Sequence, residues 1–276
     1  MSPDRSFDDA FIRRLERHET ECHALPGREV VDLGDGLALF DPLDRDPFFN
    51  RLSGPRWPDD PAAFDRRLAE VITLFAVRDR LPHVWPSLGS NQPHDLAGRL
   101  EANGFADIGG GHLMVLDDLA ACAPLEPDEI PAGVTLTTLG VEAPVAPADL
   151  RDFAAVNTVA FGGPAELVDQ LVEEALPSMS DSRVVRVLVR VDGEPASGAK
   201  VTTFDGFMYV SSVGTGASFR GRGLAGLATR AAVAAAGGPE AGLPYLGVHS
   251  HNVPALVVYR RLGFVPVGEA PDLLLA

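Results

Sequence analysis

Arg220-Gly-Arg-Gly223-Leu-Ala225-Gly226 stands between a β-branched and aromatic run, Phe207-Met-Tyr-Val-Ser-Ser-Val213, and an alanine-rich run over residues 224–236. The spacing suits the binding of a bulky anion. A strand that turns directly into a helix leaves first-turn N–H groups without intrahelical partners, at the end where the peptide dipoles sum to roughly half a positive charge. Gly221 and Gly223 allow the backbone to come close to the ligand, and Arg220 and Arg222 add mobile charge. A pyrophosphate matches such a loop in size and charge.

Two kinds of protein use a loop of this sort. Gly221-x-Gly223-x-x-Gly226 matches the dinucleotide fingerprint by letter, but that fingerprint needs an acidic residue closing the next strand. Here the next strand, Tyr245-Leu-Gly-Val-His-Ser250, ends in His and Ser, and Glu240 precedes it. The dinucleotide reading is set aside on that ground. Arg220-Gly-Arg-Gly223-Leu-Ala225 instead resembles the (Gln/Arg)-x-x-Gly-x-(Gly/Ala) signature of the GCN5-related N-acetyltransferase (GNAT) superfamily. Further on, Asn252-Val-Pro-Ala255-Leu-Val-Val-Tyr259-Arg-Arg-Leu262-Gly263-Phe264 resembles that superfamily's Asn-x-x-Ala-x-x-x-Tyr-x-x-x-Gly-Phe segment, in the same order. The second segment also reads as a helix on physical grounds. Asn252 suits a cap, Pro254 the first turn, and Gly263 a left-handed end, while Asn252, Ala255 or Leu256, Tyr259 and Leu262 share one face.

The resemblance implies an acyl-CoA-dependent N-acyltransferase with acetyl-CoA as donor, and it assigns positions. Val213, Gly214 and Thr215 would hydrogen-bond the pantetheine arm. The backbone N–H groups of Gly221, Arg222, Gly223, Leu224, Ala225 and Gly226 would cradle the pyrophosphate, and Asn252 would contact the cofactor near the pantetheine. Tyr259 would act as general acid toward the departing thiolate, after direct attack by the acceptor amine. The residues leave the general base open among His249, Glu173, Glu174 and a water chain. A protein of the same fold that binds acyl-CoA without turnover, as a sensor or partner subunit, is the alternative.

The elements that position these residues follow from periodicity. Val134–Leu139 alternates as a strand, residues 149–161 and 164–179 read as helices, and residues 184–191 and 199–204 form a hairpin around Asp192-Gly193. A terminal strand pair over residues 265–275 completes the order β-α-α-β-β-β-α-β-α-β-β, which is that of the superfamily. The expected fold is therefore α/β (α+β), a mixed and mostly antiparallel sheet flanked by helices. Residues 122–131, rich in Pro and acid, divide residues 1–121 from a GNAT domain at 132–276.

The first part resembles the second at its end. His83-Val-Trp-Pro-Ser, Asn91, residues 96–103, Gly104-Phe105, Ile108-Gly and residues 113–116 parallel Leu246-Gly-Val-His-Ser, Asn252, residues 255–262, Gly263-Phe264, Val267-Gly and residues 273–275. This suggests an internal duplication, with an unrelated accessory domain as the other reading. The first copy has lost the anion loop. Before its helix at residues 61–77 stands Gly54-Pro-Arg-Trp-Pro-Asp59-Asp60, whose carboxylates would repel a pyrophosphate.

Composition sets the remaining bounds. With 276 residues and 46% hydrophobic content, two folded domains are expected. A net charge of −16 disfavours nucleic acid and anionic membranes as partners; it would draw in a cationic amine, and it equally serves solubility alone. Met1-Ser-Pro-Asp-Arg5 lacks a charged-then-apolar leader, so a cytoplasmic location is expected. Cys22 and Cys122 belong to no spaced metal pattern, and His18, Cys22 and His23 lack a second ligand cluster, so no metal is expected.

Overall fold

A computed structural model describes residues 7–25, 27–140 and 146–275; residues 1–5, on which the leader reading rests, lie outside the described residues. The first half of the sequence runs α1 (Asp9–Ala24), β1 (Glu29–Asp32), β2 (Leu37–Phe40), β3 (Arg51–Ser53), α2 (Pro61–Ala76), β4 (His83–Trp85), α3 (Leu96–Ala102), β5 (Phe105–Asp107) and β6 (Gly111–Leu116). The second half begins with β7 (Val134–Leu139), α4 (Pro147–Ala160), α5 (Leu167–Ala175), β8 (Val184–Val191), β9 (Glu194–Phe204) and β10 (Phe207–Thr215). It continues with α6 (Leu224–Ala235), β11 (Leu243–His249), α7 (Val253–Arg261), β12 (Phe264–Ala270) and β13 (Leu273–Leu275).

Local chemistry accounts for most of these elements. In α2, Phe64, Leu68, Val71 and Phe75 are buried at helical spacing, and the Asp60 carboxylate accepts from the Ala63 N–H. The β8–β9 and β9–β10 turns place Asp192-Gly193 and Asp205-Gly206 at positive φ, the requirement of a two-residue type I′ hairpin. Pro177 ends the helix expected over 164–179 early: α5 stops at Ala175, and Leu176–Ser180 continues as a 3-10 turn.

Two sheets result, and both are mixed. The first has the order β1-β2-β3-β4-β13-β5, antiparallel except for the β3/β4 pair. The second has the order β12-β6-β11-β10-β9-β8-β7, with β10 and β11 parallel and β7 to β10 antiparallel. Placed side by side, the orders match strand for strand: β1 to β5 follow the pattern of β8 to β12. In each sheet the strand inserted next to the last comes from the other half of the sequence. β12 and β13 are therefore not the strand pair expected from sequence. Only Pro271 and Asp272 separate them, and a proline in first central position cannot adopt the positive φ of a two-residue hairpin turn.

β13 instead pairs on both edges, with β4 through Leu273↔Val84 and with β5 through Leu274↔Ala106. The Asp272 carboxylate accepts from Trp85 Nε1 at 2.8 Å and meets the ring of His83, and the Leu275 N–H donates to the Pro82 carbonyl at 2.9 Å. Leu273 completes the core formed by Leu52, Trp57, Phe64, Phe75, Val84 and Phe105. The compact units accordingly do not follow the linear division at residues 122–131. One gathers the described residues of Met1–Met114, Val248–Val253 and Pro266–Ala276, the other Val115–Gly247 and Pro254–Val265.

Leu273 is fully buried. Leu273→Ala is expected to cost about 2–5 kcal/mol, the range for emptying a buried leucine site, whereas half-buried Leu274→Ala should cost less. Urea denaturation of both variants checks the difference.

Candidate functional site

The site starts from a strand edge. β10 pairs with β11 from Phe207↔Leu243 to Val210↔Leu246, and the ladder then stops, although β10 runs on to Thr215. On its other side β10 stays paired with β9, with a register shift between Ser211 and Gly214. Ser212 takes φ +50 there, the left-handed region that L side chains seldom adopt. The bulge turns Val213, Gly214 and Thr215 so that their backbone on the β11 side has no ladder partner.

Neighbouring side chains fix the bulge. Ser197 Oγ donates to the Gly214 carbonyl at 2.7 Å and lies 2.9 Å from Thr215 Oγ1. α4 presses on the same point: a Cβ on Gly214 would stand 2.9 Å from both Ala160 Cβ and Asn157 Oδ1. Glycine at 214 is therefore a packing requirement.

After Thr215 the chain enters the Gly/Arg loop. Gly221 and Gly223 both have φ +76, with open space where a side chain would project. Gly223 is the N-cap of α6 and offers no side-chain cap. Among the described residues, none of the N–H groups from Gly221 to Gly226 has a hydrogen-bond acceptor. Arg220 is exposed and its Nε donates to the Thr215 carbonyl at 3.3 Å, while Arg222 lies over the Phe219 ring at 5.8 Å. Leu224, Ala228 and Ala232 bury one face of α6 against the sheet, which aims its N-terminus at the open loop. Six consecutive free amides at a helix start, with Arg222 among them and Arg220 just before, are an arrangement that can donate to phosphate oxygens.

α7 adjoins this receptor. Gly226, in the first turn of α6, faces Val258 and Leu262, whose methyl carbons would lie 3.7–4.0 Å from a Cβ added there. Between those two residues in sequence, Tyr259 is buried, with its ring 6.0 Å from that of Phe264. Burial alone pushes its phenol up to about 12, so the group keeps its proton at neutral pH. Gly263 closes α7 at φ +83, as expected. Asn252, at the start of α7, is exposed, and its N–H donates to the His249 carbonyl at 2.9 Å.

The corresponding loop of the first sheet is closed. Gly54 N–H donates to the Trp85 carbonyl at 2.8 Å, Arg56 N–H to Asp35 at 2.6 Å and Trp57 N–H to Gln92 at 2.7 Å. Asp60 caps α2, and prolines at 58 and 61 have no N–H to offer. The gap past β3 and β4 is bridged by Glu16 of α1, which accepts from Ser87 Oγ at 2.9 Å and Leu88 N–H at 2.6 Å. Burial raises the Glu16 carboxyl to about 7, partly opposed by those two donors.

Among candidates for a base, Glu173 is exposed, Glu174 accepts from Gln170 at 2.9 Å, and exposed His249 stacks on His251 with centroids 5.3 Å apart. None is singled out. His18 and Cys22 contact each other, while His23 turns to Glu19, and no group of three metal-ligating side chains occurs among the described residues. No helix among the described residues is long and apolar enough to cross a membrane.

Comparison with known proteins shows what this chain is similar to. The model of the Acetyltransferase (GNAT) family matches residues 157–264. That segment, which runs from α4 to the start of β12, is therefore similar to the GNAT family. Among solved structures, a GCN5-related N-acetyltransferase from Kribbella flavida superposes with a TM-score of 0.71 at 26% identity, over 95% of each chain. A tandem GNAT protein from the clavulanic acid biosynthesis pathway gives 0.62 at 18% identity, covering 92% of this chain and 86% of that one. A GCN5-related N-acetyltransferase from Sphaerobacter thermophilus gives 0.62 at 17%, covering 93% and 84%. No curated protein matches this chain. The last two likenesses concern the fold, and the first sheet, with its matching strand order, fits a tandem arrangement.

In the second half of the chain, sequence reasoning missed Ser212, Ser197 and Asn157, which shape the bulge, and Arg186, buried on β8. Only Arg186 left a signal, as a charge on the inward face of the Val184-Val-Arg-Val-Leu-Val strand.

Glu16 supplies a test of the closed first half. Because its carboxyl is raised in the folded state, its contribution is present below the ordinary value of 4.5 and lost as pH rises through about 7. Wild type is therefore expected to lose Tm relative to Glu16→Gln between those values; parallel Tm–pH curves would remove Glu16 from this role.

Proposed function

We propose that the GNAT domain transfers an acyl group, acetyl in the first instance, from acyl-CoA to an amine by direct attack on the thioester. The observation that carries this reading is the row of unpartnered amides from Gly221 to Gly226 beside an unpaired strand edge. The residues present fit the donor. The amides of Gly221, Arg222, Gly223, Leu224, Ala225 and Gly226 would bind the pyrophosphate, with Arg220 and Arg222 adding charge. The backbone of Val213, Gly214 and Thr215 would pair with the amide-bearing arm as a further strand would, and Asn252 would contact it at the start of α7.

When bound, the donor supplies an activated carbonyl and a thiolate leaving group. A backbone N–H of β10 would face the carbonyl oxygen on which charge develops. Tyr259 holds its proton through burial and would donate a hydrogen bond to the departing sulfur. A weak acid is adequate there, since a thiolate leaves more readily than an alkoxide. The reading takes the sheet of β1 to β5, completed by β13, as a GNAT-like copy without an anion site, and the sheet of β7 to β12, into which β6 inserts, as the acting copy. The acceptor is a small-molecule or peptide amine.

Calorimetric titration with acetyl-CoA is expected to show micromolar-range binding to wild type, lost in the double variant Arg220→Ala/Gly223→Asp, with NADH binding neither. Absence of binding to wild type would withdraw the reading. Tyr259→Phe is expected to lower kcat by about 10²-fold with unchanged acetyl-CoA affinity, in a thiol-release assay over a panel of amines. Unchanged turnover would return Tyr259 to a packing role; release by no amine despite binding would favour the sensor reading.

A further inference from the structure

The described residues of the first compact unit surround a cleft of about 330 Å³, at the small end of the range for sites that hold small molecules. Its lining comes from segments far apart in sequence. Asp46 and Phe48 belong to the turn before β3, His83 to β4, and Ile108 to the β5–β6 connection. His249 ends β11, His251 follows it, and Asp272 stands just before β13.

Among the described residues the lining includes two carboxylates and three imidazoles but no arginine or lysine. In each carboxylate one oxygen is committed within the protein. Asp46 Oδ1 accepts from the Phe48 N–H at 2.9 Å. Asp272 Oδ1 accepts from Trp85 Nε1 at 2.8 Å and meets His83 Nε2, while His83 Nδ1 donates to the Pro47 carbonyl at 2.6 Å. Among the described residues neither Oδ2 has a hydrogen bond, although Asp272 is only 8% exposed. A carboxylate held that far out of water with one oxygen unpaired is costly, and a donor on a ligand would offset the cost.

The rest of the lining narrows the class of ligand. His249 Nδ1 donates to the Gly109 carbonyl at 3.3 Å, so in the neutral ring Nε2 keeps a lone pair. His251 stacks on it with centroids 5.3 Å apart, and both rings are exposed. Beside them Ile108 leaves 53% of its surface in water, and Phe48 is half-buried. Acceptors and negative charge thus stand next to an apolar wall. No group of three metal-ligating side chains occurs among the described residues, so the chemistry suits an organic cation better than a metal ion.

β11 ties this cleft to the open strand edge. Its last residue paired with β10 is Leu246, and His249 follows three residues later, about 10 Å along an extended strand.

We propose that the cleft receives the acceptor, a small primary amine bound as its ammonium ion. Asp272 and Asp46 accept from the charged nitrogen, and the apolar body of the amine covers Ile108 and Phe48. The class is an alkyl- or arylalkylamine and not a free amino acid, whose carboxylate would face Asp46 and Asp272. This inference rests on the acyltransferase reading above.

Binding is tested first without the donor. Wild type is melted with phenethylamine, 2-phenylethanol and 3-phenylpropanoate at matched ionic strength. Phenethylamine is expected to raise Tm, and the alcohol and the acid to leave it unchanged. Asp46→Asn and Asp272→Asn should each weaken the response, and the two together should abolish it. Because Asp272 is buried, Asp46→Asn and Ile108→Ser, both at exposed positions, carry the test if Asp272→Asn fails to fold. No response in wild type, an equal response to the alcohol or the acid, or an undiminished response in Asp46→Asn and Ile108→Ser would overturn the proposal.

Kinetics then separate the acceptor role from mere binding. With acetyl-CoA as donor, Asp46→Asn is expected to raise KM for phenethylamine about 10-fold, with kcat and acetyl-CoA affinity little changed. An unmoved KM, or bound acetyl-CoA with no thiol released in the presence of phenethylamine, would refute that role. Stabilisation by phenethylamine in a wild type that fails to bind acetyl-CoA would instead withdraw the acyltransferase reading and leave the amine cleft standing.

Discussion

A buried backbone must place its hydrogen bonds, and in this chain the two halves meet that demand in opposite ways at the same topological point. Where a parallel strand pair ends, each strand edge needs another partner or must face solvent or ligand. In the second sheet the β10 edge stays open past Val210, held by the bulge at Ser212, by Ser197 beneath Gly214 and by α4 against it. In the first sheet the equivalent amides of Gly54, Arg56 and Trp57 are spent on nearby carbonyls, and Glu16 spans what is left. One fold thus leaves one set of loop amides open and satisfies the other internally.

The difference lies in a few side chains at the loop, not in the sheet. Glycines at 221 and 223 leave the amides exposed because no Cβ or side-chain oxygen competes for them. Asp60 and the two prolines do the reverse, the aspartate by accepting from the helix start and the prolines by removing donors. A helix N-terminus is attractive to phosphate only while nothing in the protein has already satisfied it.

What could be read from sequence was local. The Gly/Arg loop, the Pro254 to Gly263 helix and the Asp-Gly hairpins each depend on φ preferences and missing donors within a few residues, so composition at those positions was informative. The partners of β6 and β13 depend on pairing across long separations, which periodicity does not encode; the proline after β12 was the one local sign that no hairpin follows. Ser212 reads as an ordinary strand residue, because no neighbouring residue type marks the bulge there. Arg186 was visible as an inward-facing charge, but its contacts with Ser178 and Met179, and those of Arg190 with Asp149 and Asp152, arise only after α4 and the turn at Leu176–Ser180 pack on the sheet.

The place of β13 also has a bearing on the order of events during synthesis. The first sheet has a vacancy between β4 and β5 until Leu273–Leu275 have left the ribosome, long after the rest of that sheet has been made. Until then the edges of His83–Trp85 and Phe105–Asp107 are exposed templates for any extended segment, including the same segment of a neighbouring nascent chain. Folding of this protein therefore has a built-in delay, during which a chaperone that masks strand edges would do more for yield than one that shields apolar helices.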